Sequence, residues 1–281
     1  MILGYTNFFG LTCLHARNEE LKSQLTFRLT KSNSNPQSNI LLIHGLTSSK
    51  ETWNDKVHQS LSSYGNVWAF DLPGYGESFE IPAQTRREII GSVLNFIEEN
   101  KLNNLVIVGH SMGAKVAIIA ARKLNIEKLI IEDMEPEPRR FSMEKYPKEF
   151  QNGFSSINNM TSCLRKWDYY DRTIANIINN HVVYKNGRYF SKINPLTDWS
   201  YNRNINSKWS IKDDWISLPK KLPILVLKAQ KNSSISQSGM QFMTSTKKGL
   251  KLKTIGGSTH SIHNSKTEEF VKELANFIAL P

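Results

Sequence analysis

The chain has little cysteine, no long apolar run and no motif typical of metal or nucleotide binding. Its two cysteines, Cys13 and Cys163, lie far apart among 281 residues and lack metal-ligand spacing. Free thiols are typical of a reducing compartment, so the sequence predicts a cytoplasmic protein without a metal. No apolar run approaches the roughly 20 residues that a membrane-spanning helix needs. Neither a phosphate loop nor a dinucleotide fingerprint is present, and we therefore expect no cofactor.

Acidic residues are outnumbered by basic ones. The chain has 36 Lys and Arg against 25 Asp and Glu, a formal net charge of +11. The basic residues are scattered in short pairs such as Arg139-Arg140, and no helix carries a basic stripe. This distribution favours a solvated basic surface over a nucleic-acid site, so no nucleic-acid partner is expected. A surface of this kind would weakly attract anionic lipid or acyl-CoA.

The most informative stretch is a strand, a G-x-S-x-G motif and a helix in direct succession. Leu105–Val108 is apolar and largely β-branched, and Gly109-His110-Ser111-Met112-Gly113 follows it. The Ala- and Ile-rich run 117–121 then predicts a helix. A serine on such a sharp turn is held in a strained backbone conformation, and small neighbours let the strand and helix pass each other. This context predicts that Ser111 is a nucleophile.

A nucleophilic serine needs a base. The alternating residues 250–255 predict a late strand, and the loop that follows contains His260 and His263 before a helical pattern over 268–278. Because parallel strands end at one edge of a sheet, this loop would reach Ser111. We predict His260 as the general base. His263 is the competitor, for which we favour a position in the wall at the pocket rim.

Attack of a serine on a carbonyl group produces an oxyanion, which two N–H donors must stabilise. The short apolar strand 40–43 is followed by His44-Gly45-Leu46, and a loop of this kind commonly donates the N–H after its glycine. We therefore predict an oxyanion hole formed by the backbone N–H groups of Leu46 and Met112. His44 is expected to hold the shape of the loop.

Four landmarks in this order resemble the α/β-hydrolase superfamily along nearly the whole chain. They are His44-Gly45-Leu46, the D-x-P-G-x-G-x-S stretch 71–78, the motif around Ser111, and His260. The resemblance implies a mostly parallel central sheet with helices on both faces and an inserted, mainly helical cap. It also implies a structural role for Asp71.

Members of this superfamily have a third catalytic residue, a carboxylate that orients the base. In this sequence the carboxylate is not at the position where most of these relatives have it. The strand 223–227 is followed by a segment, 228–236, that contains no carboxylate. The run I-E-D-M-x-P at the end of the preceding core strand resembles the corresponding segment of the YbfF-type bacterial esterases, whose acid lies there. That resemblance implies Asp133 as the acid, with Glu132 as the alternative.

The landmarks also divide the chain. We predict a hydrolase core over 1–134, a cap insertion over 135–218, and a second core segment over 219–281 that carries the catalytic histidine. Within the cap, helices are expected at 143–150, 156–164 and 172–179, and a small hairpin around Asn186-Gly187.

These residues predict a serine hydrolase. The expected reaction cleaves a small-molecule carboxylic ester or thioester through an acyl-serine intermediate. Two alternatives stay open: an acyltransferase with an alcohol acceptor, and a ligand-binding protein on the hydrolase fold that has lost its acid. Serine at the elbow, where relatives with epoxide hydrolase or dehalogenase chemistry have aspartate, argues against those two activities.

Overall fold

A mostly parallel seven-stranded sheet forms the centre of the molecule. The computed structural model describes residues 25–81, 83, 85–137, 152–166, 171–191 and 211–280. The strand order is β1-β3-β2-β4-β5-β8-β9, and only the edge strand β1 runs antiparallel to its neighbour. A separate hairpin consists of β6 and β7. The strands are β1 (Phe27–Thr30), β2 (Asn39–Ile43), β3 (Asn66–Phe70), β4 (Leu105–His110), β5 (Lys128–Glu132), β6 (Val182–Lys185), β7 (Arg188–Ser191), β8 (Ile224–Ala229) and β9 (Lys251–Ile255).

Helices connect these strands. The described helices are α1 (Asp55–Leu61), α2 (Arg86–Glu99), α3 (Met112–Lys123), α4 (Ile157–Lys166), α5 (Asp171–Asn180), α6 (Lys212–Ile216), α7 (Gln237–Thr246), α8 (Ile262–Ser265) and α9 (Thr267–Ile278). Among the described segments, none of these helices has the length and apolar character to cross a membrane.

Two apolar layers cover the faces of the sheet. One layer contains Leu41 and Ile107 together with residues of α2 and α3, and residues of α4 and α5 pack into the same layer. The opposite layer contains Leu42 and Val108 together with residues of α1 and α9. Because successive strand residues point to opposite faces, wholly apolar strands such as β2 require a layer on each side. The expected α/β fold, with helices on both faces of a mostly parallel sheet, is confirmed.

The parallel strands bring five loops to one edge of the sheet. Strands β2, β4, β5, β8 and β9 are hydrogen-bonded side by side in the same direction. Their carboxyl ends therefore meet at one edge, where ligands bind in open α/β sheets. The residues that the sequence predicts for the site lie in the loops that leave this edge or at the adjoining ends of β5 and α3.

Elements between β5 and β8 follow the expected pattern in part. Helices α4 and α5 lie close to the expected ranges, and the hairpin turns at Asn186-Gly187. The helix expected over 143–150 lies outside the described residues. Helix α7 was not expected, because its run of Gln, Ser and Thr carries few apolar residues at helical spacing.

Candidate active site

Ser111 stands at a strained turn between β4 and α3. Its backbone has φ 53° and ψ −121°, a left-handed conformation that is unusual for a residue with a side chain. A Cβ on Gly109 would overlap the backbone of α3, and one on Gly113 would overlap the carbonyl oxygens at the end of β2. These two glycines therefore let the strands and the helix approach closely, as the sequence pattern indicated.

Ser111, His260 and Asp133 form one hydrogen-bonded line. The Ser111 Oγ lies 2.8 Å from Nε2 of His260, and Nδ1 of His260 lies 2.7 Å from Oδ2 of Asp133. Asp133 is fully buried, whereas about a third of the His260 side chain is exposed. Because a carboxylate can only accept, Nδ1 carries the proton and Nε2 is free to accept one from the serine hydroxyl.

Four donors surround the Asp133 carboxylate. Oδ1 accepts from the Ala229 N–H at 2.9 Å and from the Ser233 hydroxyl at 2.6 Å, and Oδ2 accepts from the Ser234 N–H at 2.9 Å and from His260. Burial alone would raise the pKa of Asp133, but these hydrogen bonds outweigh it and hold the pKa below its usual value. Asp133 is therefore ionised at neutral pH.

The loop after β8, which lacks a carboxylate, supplies two of these four donors, Ser233 and Ser234, and Ala229 at the end of β8 supplies a third. Its Ser234 hydroxyl also lies 3.0 Å from Nδ1 of His260. Sequence reasoning recognised that this loop has no acid but did not identify Ser233 and Ser234 as its partners. A pair of small hydroxyl residues after a core strand was the available signal, and it is a weak one.

The backbone N–H groups of Leu46 and Met112 are the ones expected to form an oxyanion hole. A Cβ on Gly45 would lie 3.1 Å from the Cβ of Ser111, so the loop after β2 passes beside the serine. Leu46 lies in the loop after β2, and Met112 is the first residue of α3. Within the described part of the chain, neither N–H donates to an acceptor outside its own helix or strand. A helix N-terminus favours negative charge, so an oxyanion next to Met112 would be stabilised.

His44 serves the shape of this loop. Its Nε2 accepts from the Leu72 N–H at 3.0 Å, so the proton is on Nδ1, which donates to the Gly45 carbonyl at 2.8 Å. Burial lowers the pKa of His44 and keeps it neutral. Both ring nitrogens are occupied, in agreement with the structural role expected for His44.

Asp71 holds the neighbouring turn together. Its carboxylate accepts from the backbone N–H groups of Lys50 and Glu77, at 2.7 and 2.9 Å, and from Nζ of Lys50 at 2.8 Å. A polar cavity of about 370 Å³ lies beside this cluster and also touches His181 of the segment before β6. Because charged groups line it and Ser111 does not, this cavity is unsuited to an apolar acyl chain.

Glu132 and His263 lie elsewhere than expected. His263 is fully buried, not at a pocket rim. Its Nδ1 lies 2.8 Å from Oε2 of the buried Glu132, which supplies the polar partner that a buried ring needs. The Glu132 carboxylate contacts His263 and not His260, so the alternative acid is directed away from the base. The two residues are 131 positions apart, and the sequence held no signal that pairs them.

Comparisons with known proteins agree with this geometry. Residues 40–273 match the model of the Alpha/beta hydrolase family. A relative named Abhydrolase domain-containing protein C22H12.03, from Schizosaccharomyces pombe, is 24% identical over 258 residues, which cover 85% of this chain and 91% of the relative. A "Probable alcohol acetyltransferase" from Wickerhamomyces anomalus is 29% identical over 122 residues, 41% of this chain and only 36% of that relative.

Among solved structures, a marine microorganism esterase superposes with a TM-score of 0.72 at 20% identity. The superposition covers 90% of this chain and 99% of the esterase. At this identity the likeness shows a shared fold.

Proposed function

Since the chain belongs to the alpha/beta hydrolase family, we propose that it is a serine hydrolase that cleaves a small-molecule carboxylic ester or thioester. The observation that carries the proposal is the line from Ser111 through His260 to Asp133. The base lies within hydrogen-bond distance of the nucleophile through Nε2 and of the ionised acid through Nδ1. This arrangement suits acyl transfer through a covalent intermediate.

The proposed reaction has two halves. His260 Nε2 takes the Ser111 proton as Oγ attacks the carbonyl carbon, and the resulting oxyanion lies between the N–H groups of Leu46 and Met112. Asp133 stabilises the imidazolium, which then protonates the leaving alcohol or thiol. Water, deprotonated by the same imidazole, attacks the acyl-serine and releases the acid. The proton returns to Oγ, and the enzyme is restored.

The acid position and the domain division belong to the same proposal. We assign the acid to Asp133, the position that the resemblance to YbfF-type esterases implies. The core would comprise 1–134 and 219–281, and the cap 135–218 would cover the site. Residues of α4 and α5 that pack into the core layer support a cap that is firmly seated.

An acyltransferase is the second candidate. The similarity to a "Probable alcohol acetyltransferase" supports it, although the alignment spans only 36% of that protein. The chemistry of the first half-reaction is the same in both cases. The difference is whether an alcohol replaces water as the acceptor of the acyl group.

Labelling with a fluorophosphonate probe tests the proposal, because such probes react far faster with an activated serine than with an ordinary hydroxyl. We expect wild-type protein to be labelled and Ser111→Ala to be unlabelled. Ser245→Ala, which removes an exposed hydroxyl of α7, is the matched control and should label like wild type. A folded wild-type protein that resists labelling would instead favour the ligand-binding alternative.

A series of p-nitrophenyl esters of increasing chain length then measures turnover. Adding ethanol or isoamyl alcohol separates the two candidates. A hydrolase releases free acid in the presence of the alcohol, whereas a transferase releases the new ester, which gas chromatography detects.

A further inference from the structure

Glu132, at the end of β5, contacts both the proposed nucleophile and the loop that carries the proposed base. Its backbone carbonyl accepts from the Ser111 N–H at 3.0 Å. Its carboxylate accepts from the His263 backbone N–H at 2.9 Å and from the ring Nδ1 at 2.8 Å. Both Glu132 and His263 are fully buried. One residue therefore fixes the turn of the nucleophile and the main chain three residues after the base.

His263 is held on its other side as well. Its Nε2 lies 2.8 Å from the Thr52 hydroxyl. The ring of His110 lies between the rings of His260 and His263, with centroids 4.8 and 4.9 Å away. Nε2 of His110 donates to the His260 backbone carbonyl at 3.2 Å. The residue before the nucleophile and the residue before the acid thus both bind the loop that presents the base.

The backbone at Asp133 explains how two consecutive acids reach one loop. Neighbouring side chains of a regular strand point to opposite faces. Asp133 lies just past the end of β5 and has φ 49°, so the alternation is broken there. As a result, the carboxylate of Asp133 binds His260 and that of Glu132 binds His263.

We propose that Glu132 and His263 form a positioning pair that holds His260 in register with Ser111. This inference rests on the proposed function. The pair touches neither the reacting atoms nor the substrate; it fixes the loop 260–263 by one ring bond and one main-chain bond. Because a displacement of about 1 Å at a catalytic group can cost about 10²-fold in rate, a loosened loop should slow the chemical step and leave binding intact.

The same side chains could instead hold a metal ion. Ligand atoms of His110, Glu132 and His263 lie within 4.8 Å of one another. Hydrogen bonds already occupy Nδ1 of His263 and both carboxylate oxygens of Glu132, which favours a hydrogen-bonded pair of these two residues over a metal site. Dialysis against a chelator, followed by addition of Zn²⁺, is therefore part of the test.

Two substitutions separate the hydrogen bonds of Glu132 from its charge. Glu132→Gln keeps an oxygen that accepts from His263, whereas Glu132→Leu keeps much of the volume and removes both acceptors. The readouts are the maximal rate and the apparent affinity of fluorophosphonate labelling at Ser111, measured well below the melting temperature of each variant. Glu98→Leu, on the exposed side of α2, is the matched control.

We expect Glu132→Leu to lower the maximal labelling rate about 30- to 100-fold with an affinity within about 3-fold of wild type. Glu132→Gln should label within about 5-fold of wild type, because it restores the contact. A folded Glu132→Leu that labels at the wild-type rate would overturn the proposal, and so would a Glu132→Gln as slow as Glu132→Leu. Activity lost to chelator and restored by Zn²⁺ would also overturn it, in favour of a metal centre.

If Glu132→Leu does not fold, Thr52→Val carries the test. It removes the hydroxyl partner of His263 at a half-buried position and preserves the shape of the side chain. We expect a fall of about 3- to 10-fold in the maximal labelling rate, the equivalent of one hydrogen bond, and an unchanged rate would overturn the proposal. Failure of the proposed function is distinguished by the wild type, which in that case would not be labelled at all.

Discussion

Replacing Asp133 by asparagine keeps the shape of the side chain and removes its charge. The carboxylate accepts two hydrogen bonds at each oxygen, from Ala229 and Ser233 on one side and from Ser234 and His260 on the other. An asparagine has one oxygen and one NH₂ group. Whichever way the amide turns, one of the two pairs of donors must therefore face the NH₂ group, which cannot accept a hydrogen bond.

Each orientation of the amide has a different cost. If the NH₂ faces His260, the imidazole must place its proton on Nε2 and can no longer accept from Ser111. If the NH₂ faces Ala229 and Ser233, the hydroxyl can rotate to accept, but the buried Ala229 N–H loses its partner. An unsatisfied buried donor costs about 1–3 kcal/mol of folding stability.

The expected loss of activity is larger than the loss of stability. In serine hydrolases with this geometry, the corresponding change lowers the rate about 10⁴-fold because the tautomer is wrong, which equals about 5 kcal/mol of transition-state stabilisation. We therefore expect Asp133→Asn to label with fluorophosphonate about 10³- to 10⁴-fold more slowly than wild type. Its free energy of unfolding in urea should fall by about 1–3 kcal/mol.

Asp55→Asn provides the matched control, since Asp55 is largely exposed and pairs only with Arg28 among the described residues. Its effect on stability should stay within about 0.5 kcal/mol, and its labelling rate should not change. A folded Asp133→Asn that labels at a third of the wild-type rate or faster would refute the assignment of the acid. The same result would show that the four donors at Asp133 serve only the fold.

Three further predictions concern stability. Burial lowers the pKa of His58 to about 4. Because the unfolded imidazole takes up a proton near pH 6.5, His58 should contribute a loss of up to about 2 kcal/mol of folding stability between pH 8 and pH 5. Urea unfolding at these two pH values checks this, since His58→Gln should lose less stability than wild type by about that amount; equal losses would contradict the prediction. Gly113→Ala should lower the free energy of unfolding by at least about 2 kcal/mol, because its Cβ would overlap backbone atoms. Gly91→Ala has open space on α2 and should raise it by about 0.5–1 kcal/mol. Shifts in melting temperature measure both effects. Lys50→Met should cost about 3 kcal/mol in urea unfolding because it leaves the buried Asp71 without its cation, and a cost below about 1 kcal/mol would show that the backbone donors suffice.

The strands and most helices could be predicted because their apolar residues repeat at the spacing of a buried sheet or an amphipathic helix. Helix α2, for example, carries six buried residues on one side and begins at a capping box on Thr85. Helix α7 escaped prediction because only Gly239 and Met243 are buried along its length. Its N-cap, Ser236, was the available signal.

The site was predictable where a side chain has a strained or motif-bound position, as Ser111 has. The contacts of Asp133 were harder to predict from the sequence. Ser233 and Ser234 are ordinary loop residues in sequence, and only the parallel neighbours β5 and β8 bring them against the acid. The pairing of Glu132 with His263 depends on the same long-range register, which one sequence without relatives does not reveal.

The tight turn after β5 has a consequence for protein engineering. Two adjacent carboxylates at the end of a central strand bind two histidines that are three residues apart. The two contacts can form together only while both spacings are kept. A single-residue insertion or deletion within β5, or between His260 and His263, would shift one partner set against the other. Libraries that vary loop length in search of new substrates should therefore leave these two stretches unchanged and place their insertions in the proposed cap, 135–218.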